Sequence, residues 1–299
     1  MPGNDCCANG ITEDLALASA ADAAGPRLPS FFIIGPPRTG TTWLHSLLSE
    51  CAWLPHPTKE TRFFDQHYER GLGWYSAHYR KATAARKIGE VAPTYFISAP
   101  ARERIAQLIP GAKIVCTFRN PVERVWSLYR LKRAYGMIRW TFEEALERDP
   151  ELMESSRYAF HLKEWVSSFG PGQVMVMVHE DIHADPQSYL DKLVDFIGVP
   201  RLQLRPAHKS RLLTAEGMTQ PRNYYWTRGA ALLADWSKAR RLDSVVAAAK
   251  KWGAMNLFVG GGPSFSELSS VQRTRLRELF RPDIDSLEVM LNRDLSAWK

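Results

Sequence analysis

One stretch restricts the fold more than any other: Phe31-Phe-Ile-Ile-Gly-Pro-Pro-Arg-Thr-Gly-Thr-Thr-Trp-Leu-His-Ser-Leu-Leu-Ser-Glu50. Phe31 to Ile34 read as a short buried strand, and Trp43, Leu44, Leu47 and Leu48 fall on one face of a helix that follows. Gly35 to Gly40 must then be the loop between them. A strand, a glycine-bounded loop and a helix N-terminus gather free backbone N–H groups and the positive end of a helix dipole at one point. The stretch therefore predicts an anion site.

The spacing Gly35-x-x-x-x-Gly40 followed by Thr41-Thr42 fits a P-loop, except that Thr41 stands where the lysine of nucleotide triphosphatases belongs. Arg38 is the long cation inside the loop. A phosphate-holding loop without the lysine that reaches β- and γ-phosphates suggests a donor other than a nucleoside triphosphate. A second constellation begins at Lys113-Ile-Val-Cys-Thr-Phe118, an apolar run suited to a central parallel strand. It passes directly to Arg119-Asn120-Pro121 and a helix from Val122 to about Tyr135. Arg119 then stands at the carboxyl end of a strand, where open α/β sheets bind ligands. Ser127, about two helical turns on, faces the same crevice. An arginine fork beside a hydroxyl suits a terminal phosphate.

Composition narrows the partners. A chain of 299 residues can bury the core of one large α/β domain, alone or with an appendage. The formal charge of +7 is spread along the chain without a run of five like charges. That favours a cleft for a multiply charged donor over nucleic acid. Cys6, Cys7, Cys51 and Cys116 lack metal-ligand spacing and read as reduced thiols of a cytoplasmic protein. The N-terminal residues show no signal-peptide pattern, and no apolar run approaches a membrane span. Residues 1–28 are expected to form a flexible leader. Residues 29–299 are expected to form one domain, with an α/β core to residue 200 and a basic loop and helical part over 201–299.

Three motifs carry a family resemblance. Pro37-Arg38-Thr39-Gly40-Thr41-Thr42-Trp43 resembles the 5′-phosphosulfate loop of sulfotransferases that use 3′-phosphoadenosine 5′-phosphosulfate (PAPS), written Pro-Lys-Ser/Thr-Gly-Thr-Thr with Arg for Lys in some branches. Arg119, Asn120, Pro121, Arg124, Ser127 and Tyr129 match their 3′-phosphate motif, Arg-Asn-Pro-x-x-Arg-x-x-Ser-x-Tyr. Lys59 and Glu60, on spacing alone a surface ion pair, begin a segment similar to the Lys-Glu-x-His-Phe-Phe-Asp of heparan-type enzymes. There the Glu is the general base. Two positions depart from the family: Arg62 replaces the histidine, and Val91 stands where Glu-Lys-Ser-Pro-x-Tyr relatives have a lysine. The ending from Leu287 to Trp298 resembles bacterial sulfotransferases.

The resemblance implies the sulfotransferase fold, an α/β architecture whose P-loop-type central parallel β-sheet is flanked by helices, with a helical C-terminal part. It implies sulfuryl transfer from PAPS to an acceptor hydroxyl or amine of a carbohydrate or small molecule, leaving adenosine 3′,5′-bisphosphate (PAP). No metal, nucleic acid or membrane span enters that chemistry. Glu60 is the implied base, with Lys59 beside it. Arg38, Thr39, Gly40, Thr41 and Thr42 hold the 5′-phosphosulfate, and Arg38 neutralises charge on the bridging oxygen. Arg119 and Ser127 take the 3′-phosphate, over which Lys209 or Arg211 closes. Trp43 either stacks on adenine or packs as a core residue. The aromatic and basic residues of 66–86 form a helical segment that lines the acceptor or covers the core. Tyr158, His161, Leu162 and Trp165 form a packing stripe. Two rivals stand beside this reading: an ATP-dependent kinase using Glu180 or Asp181 for Mg²⁺, and a non-catalytic nucleotide-binding protein.

Overall fold

The computed structural model describes residues 26–208, 219–239 and 261–299. Its centre is a four-stranded parallel sheet in the order β2-β1-β3-β4. The strands are β1 (Phe31–Ile33), β2 (Gly89–Val91), β3 (Lys113–Phe118) and β4 (Val174–Val178). Phe32 lies in register with Glu90 on one side and Ile114 on the other. The chain thus leaves β1 toward β2 and returns across it to β3. That reversal opens a crevice beyond the carboxyl ends of β1 and β3.

Both faces of the sheet are covered, so its strands are apolar on both sides. Phe31, Ile33 and Val115 pack against α1 (Thr41–Cys51) and α10 (Pro186–Ile197). The alternate residues Phe32, Ile34, Ile114, Cys116 and Phe118 face the larger core. There they meet α4 (Ala99–Leu108), α5 (Pro121–Ala134), α8 (Tyr158–Phe169) and α12 (Ser270–Leu291). The remaining helices are α2 (Phe63–Gln66), α3 (Gly71–Ser76), α6 (Phe142–Arg148), α7 (Pro150–Glu154), α9 (Glu180–Ala184) and α11 (Tyr224–Ala239). The expected stripe on α8 is core: Tyr158, His161, Leu162 and Trp165 are all buried. No helix among the described residues is long and apolar enough to cross a membrane.

The helical segment expected over 66–86 forms over 68–79, where α3 is flanked by 3₁₀ turns at Tyr68–Arg70 and Ala77–Tyr79, and gives way to turns beyond Tyr79. Within the part expected to be a basic loop and helices, Gly261–Ser264 forms a strand, β6, antiparallel to β5 (Thr219–Pro221). The C-terminal helical part includes one long helix, α12, that runs through Pro282. Proline removes a single N–H, and the core contacts of Phe280, Ile284 and Leu287 on either side hold the helix together. Most of the expected leader and the stretch 240–258 lie outside the described residues.

Candidate active site

The loop after β1 is shaped by what crowds it. A Cβ on Gly35 would stand 1.9 Å from Thr117 Oγ1, so only glycine lets β1 and β3 approach this closely. Gly40 caps α1 with φ 93°, and a Cβ there would meet the His179 ring at 3.2 Å. Arg38 itself has φ 78°, a left-handed conformation that a non-glycine residue holds at a cost. Thr39 is fully buried: its hydroxyl bonds to Pro36 O at 2.8 Å and lies 2.6 Å from Thr117 Oγ1. Expected on the donor, the Thr39 side chain is turned into the sheet and shapes the loop. Thr41 is buried as well, while Thr42 is exposed at the start of α1.

The two motifs read from the sequence meet. Arg38 Nε donates to Ser127 Oγ at 2.8 Å, joining the loop after β1 to the helix after β3. The expectation placed Arg38 at the sulfated end of a donor; here its guanidinium reaches the 3′-phosphate motif. It keeps company with Arg119 and Arg130, and among the described residues no carboxylate pairs with it. Burial and these two like charges pull its pKa down from the ordinary arginine value to about 10. Arg119 is held by its backbone: its carbonyl accepts from Tyr158 Oη at 2.8 Å. The next residue, Asn120, caps α5 by accepting from Val122 N at 3.0 Å. Its own N–H donates to Glu180 Oε1 at 2.8 Å.

That last bond bears on the kinase alternative. Glu180 orders the turn after β3, and Asp181 is forked by Arg293 at 2.7 and 2.6 Å. Asp181 is thus engaged through both oxygens, whereas Glu180 is engaged through Oε1 alone and its buried Oε2 has no hydrogen-bond partner among the described residues. Among the described residues no group of three or more His, Cys, Asp or Glu is placed to hold a metal ion.

Lys59 and Glu60 lie at the other end of the loop. Lys59 Nζ donates to Thr42 Oγ1 at 3.2 Å and stands 3.4 Å from Glu60 Oε1. The ion pair thus sits at the first turn of α1, partly exposed. His45, one turn along α1, has a buried Nε2 with no hydrogen-bond partner. Burial and Lys59 lower its pKa to about 4, so it is a neutral ring at neutral pH. Val91 is buried in the core and adds no cation to this end of the site, and Arg62 is exposed, with Nη1 3.4 Å from Gln66 Oε1.

Trp43 takes the core alternative: it is 6 % exposed, packs near Tyr189, and donates Nε1–H to His208 O at 3.0 Å. The chain at residue 208 is thereby fixed against α1, next to Lys209 and Arg211, which lie outside the described residues. His179 was not singled out from the sequence. It follows β4, packs against Gly40, and its pKa is drawn down to about 3 by burial, then by Arg119, His183 and Arg38. The available signal was its position after an apolar strand, the same cue that picked out Arg119.

A family model described as "Sulfotransferase domain" matches residues 28–220. Over 196 residues the chain is 30 % identical to the bifunctional heparan sulfate N-deacetylase/N-sulfotransferase 2 of Bos taurus, covering 58 % of this chain and 22 % of that protein. It is 31 % identical over 196 residues to the bifunctional heparan sulfate N-deacetylase/N-sulfotransferase 1 of Mus musculus, with the same coverage. The chain thus matches about a fifth of the length of these curated relatives. A solved sulfotransferase from Alicyclobacillus acidocaldarius superposes with a TM-score of 0.64 at 23 % identity, covering 91 % of this chain and 98 % of that one, which shows a shared fold. With a family model matching most of its length, the chain belongs to the sulfotransferase family.

Proposed function

We propose that this protein transfers the sulfuryl group of PAPS to an acceptor hydroxyl or amine and releases PAP. The observation that carries the reading is the 2.8 Å contact between Arg38 and Ser127, which brings the two phosphate motifs into one crevice. In that reading Arg119, Ser127 and Arg38 receive the 3′-phosphate. The N–H groups of Gly40 to Thr42 receive the 5′-phosphosulfate. Lys59, bound to Thr42, supplies the cation at the sulfated end that Val91 does not. The acceptor oxygen or nitrogen bonds to sulfur as the bond from sulfur to the bridging oxygen breaks. Glu60 takes the acceptor proton, and the electron pair leaves on PAP. A loose in-line displacement of this kind depends on position and charge stabilisation.

For the acceptor we propose a carbohydrate or a small hydroxyl or amine compound. The names of the heparan sulfate relatives support a sugar. So does Trp74, part-exposed, with the His67 and His78 rings at 5.7 and 4.5 Å and Arg70 5.0 Å from its centroid. The buried free thiols Cys51 and Cys116 support a reducing, cytoplasmic setting. Calorimetric titration tests the nucleotide: PAP should bind without Mg²⁺ and far more tightly than ATP. Glu60→Gln should retain PAP binding and lose turnover of radiolabelled PAPS by about 10²–10⁴. Tight, Mg²⁺-dependent ATP binding with no response to PAP would overturn the reading.

A further inference from the structure

Glu90, in the middle of β2, is a fully buried carboxylate with no cationic partner among the described residues. Such a group costs several kcal/mol to bury unless hydrogen bonds carry it. Glu90 Oε1 accepts from Thr61 N at 3.0 Å, Thr61 Oγ1 at 2.6 Å and Tyr95 Oη at 3.4 Å, and Oε2 accepts from Tyr75 Oη at 2.6 Å. Burial still raises its pKa.

The donors form a directed network. Phe63 N donates to Thr61 Oγ1 at 3.1 Å, which leaves the Thr61 proton for Glu90. Phe64 N donates to Tyr95 Oη at 3.3 Å, and Tyr79 Oη to Tyr75 Oη at 3.3 Å. Thr61 and Tyr75 each receive from one side and give to Glu90, while Tyr95 Oη lies 3.3 Å from Thr61 Oγ1 and 3.4 Å from Glu90 Oε1, so the carboxylate is the acceptor on which the cluster converges. A neutral amide in its place would turn an NH₂ toward one of those donors and break the sequence.

What the network holds is the segment that carries Glu60. Thr61 follows Glu60 directly, and the approach from Leu54 contains Pro55 and Pro57, so little regular pairing fixes its height above the sheet. Glu90 supplies that fixation, because β2 is in register with β1, the strand that leads into the loop of Arg38. Base and donor loop are thus referred to adjacent strands of one rigid sheet. We propose that Glu90 is a positioning residue for sulfuryl transfer: by anchoring Thr61 to β2 it sets where the Glu60 carboxylate stands relative to the donor loop. The inference rests on Glu60 being the base.

The test compares Glu90→Gln, Thr61→Val, their double variant and Glu60→Gln in the full chain. Water serves as the acceptor, through slow hydrolysis of radiolabelled PAPS, beside PAP affinity by calorimetry and amide hydrogen exchange. Displacing a base by about 1 Å costs roughly 10²-fold, so Glu90→Gln and Thr61→Val should each slow hydrolysis at least tenfold. PAP affinity should stay within twofold. The double variant should be no slower than the slower single one, because both break one link. Exchange at Thr61, Phe63 and Phe64 should speed up in Glu90→Gln alone and stay unchanged in Glu60→Gln. Thr61→Val keeps the test open if Glu90→Gln folds poorly. Undiminished hydrolysis in both, with Glu60→Gln slow, overturns the inference, as does an equal loss of PAP affinity and rate. If Glu60→Gln hydrolyses normally, the reading of the base falls instead, and unchanged exchange in Glu90→Gln then removes the anchor too.

Discussion

Arg38→Met should make the free protein more stable while weakening PAP. The guanidinium is held beside Arg119 and Arg130 in a part-buried setting, with its pKa brought down from the ordinary arginine value to about 10. At about 1.4 kcal/mol per pH unit, holding that charge costs the fold roughly 3 kcal/mol relative to the neutral side chain. Methionine keeps the length and the backbone conformation at φ 78° but loses the bond to Ser127, worth about 1–1.5 kcal/mol. The balance leaves the variant about 1–2 kcal/mol more stable, a rise in melting temperature of roughly 2–6 °C. PAP, carrying the anions that these cations await, should stabilise the native protein and stabilise Arg38→Met much less. The measurement is a melting curve with and without saturating PAP, paired with calorimetric affinity, where a loss of about 10²-fold is expected. A variant that melts 1–3 kcal/mol below the native protein, as ordinary truncations of buried side chains do, would show that the cluster is not under electrostatic tension.

The remaining expectations concern charge, acid and capping. Arg119→Ala, at the end of β3, should weaken PAP much more than AMP in a competition titration; equal losses would take Arg119 off the 3′-phosphate. The folded pKa of His179, about 3, lies below its unfolded value of 6.5, so its neutral form favours the fold fully above pH 6.5. That stability is lost as pH falls from 6.5 toward 3. Between pH 7 and 4.5 the native protein should lose about 2–3 kcal/mol more than His179→Asn in urea titrations. Asp283 accepts from Ala159 N at 3.0 Å and Phe160 N at 3.2 Å, so α12 supplies the cap for the first turn of α8. Asp283→Ala should cost about 1–2 kcal/mol by the same titration and leave PAP affinity unchanged.

Local pattern was a good guide wherever one element could be read by itself. Lys113–Phe118 and Pro186–Ile197 form over the lengths their apolar runs and flanking prolines mark. Candidate residues could be picked out where they stand beside such an element, as Arg38 before α1 and Arg119 after β3 do, or at a fixed spacing within one, as Ser127 does in α5. The site was not legible where partners come from several elements at once. Glu90 looks like a polar residue in a three-residue strand, and its donors lie at Thr61, Tyr75 and Tyr95, whose meeting depends on how two loops fold over β2. His179 acquires its meaning from Gly40, where the absence of a side chain lets the imidazole sit against the loop. The pairing of β5 with β6 was hidden for another reason: Gly261 and Gly262 read as a break, and a partner strand distant in sequence leaves no mark on composition.

The two arginines of the second motif show the limit most clearly. Arg119 and Arg124 are equally prominent in the sequence, yet they serve opposite sides of the same loop. Arg119 leaves the end of β3 before α5 begins and stands over the crevice. Arg124, one turn into α5, is fully buried, and its Nε and Nη2 are spent on Ser156 Oγ at 2.7 Å and Leu152 O at 2.6 Å. Its Nη1 lies 3.5 Å from Pro37 O, the carbonyl just before Arg38. All three acceptors are neutral, and the guanidinium sits in a poorly screened place directly behind the loop. Burial lowers its pKa, and Tyr158 and the nearby Glu151 carboxylate offset only part of that. Arg124 thus supports the strained backbone from beneath and adds to the positive potential there, which leaves Arg119 as the arginine proposed for the 3′-phosphate. Which does which is decided by a strand ending at Phe118 and a helix starting at Pro121.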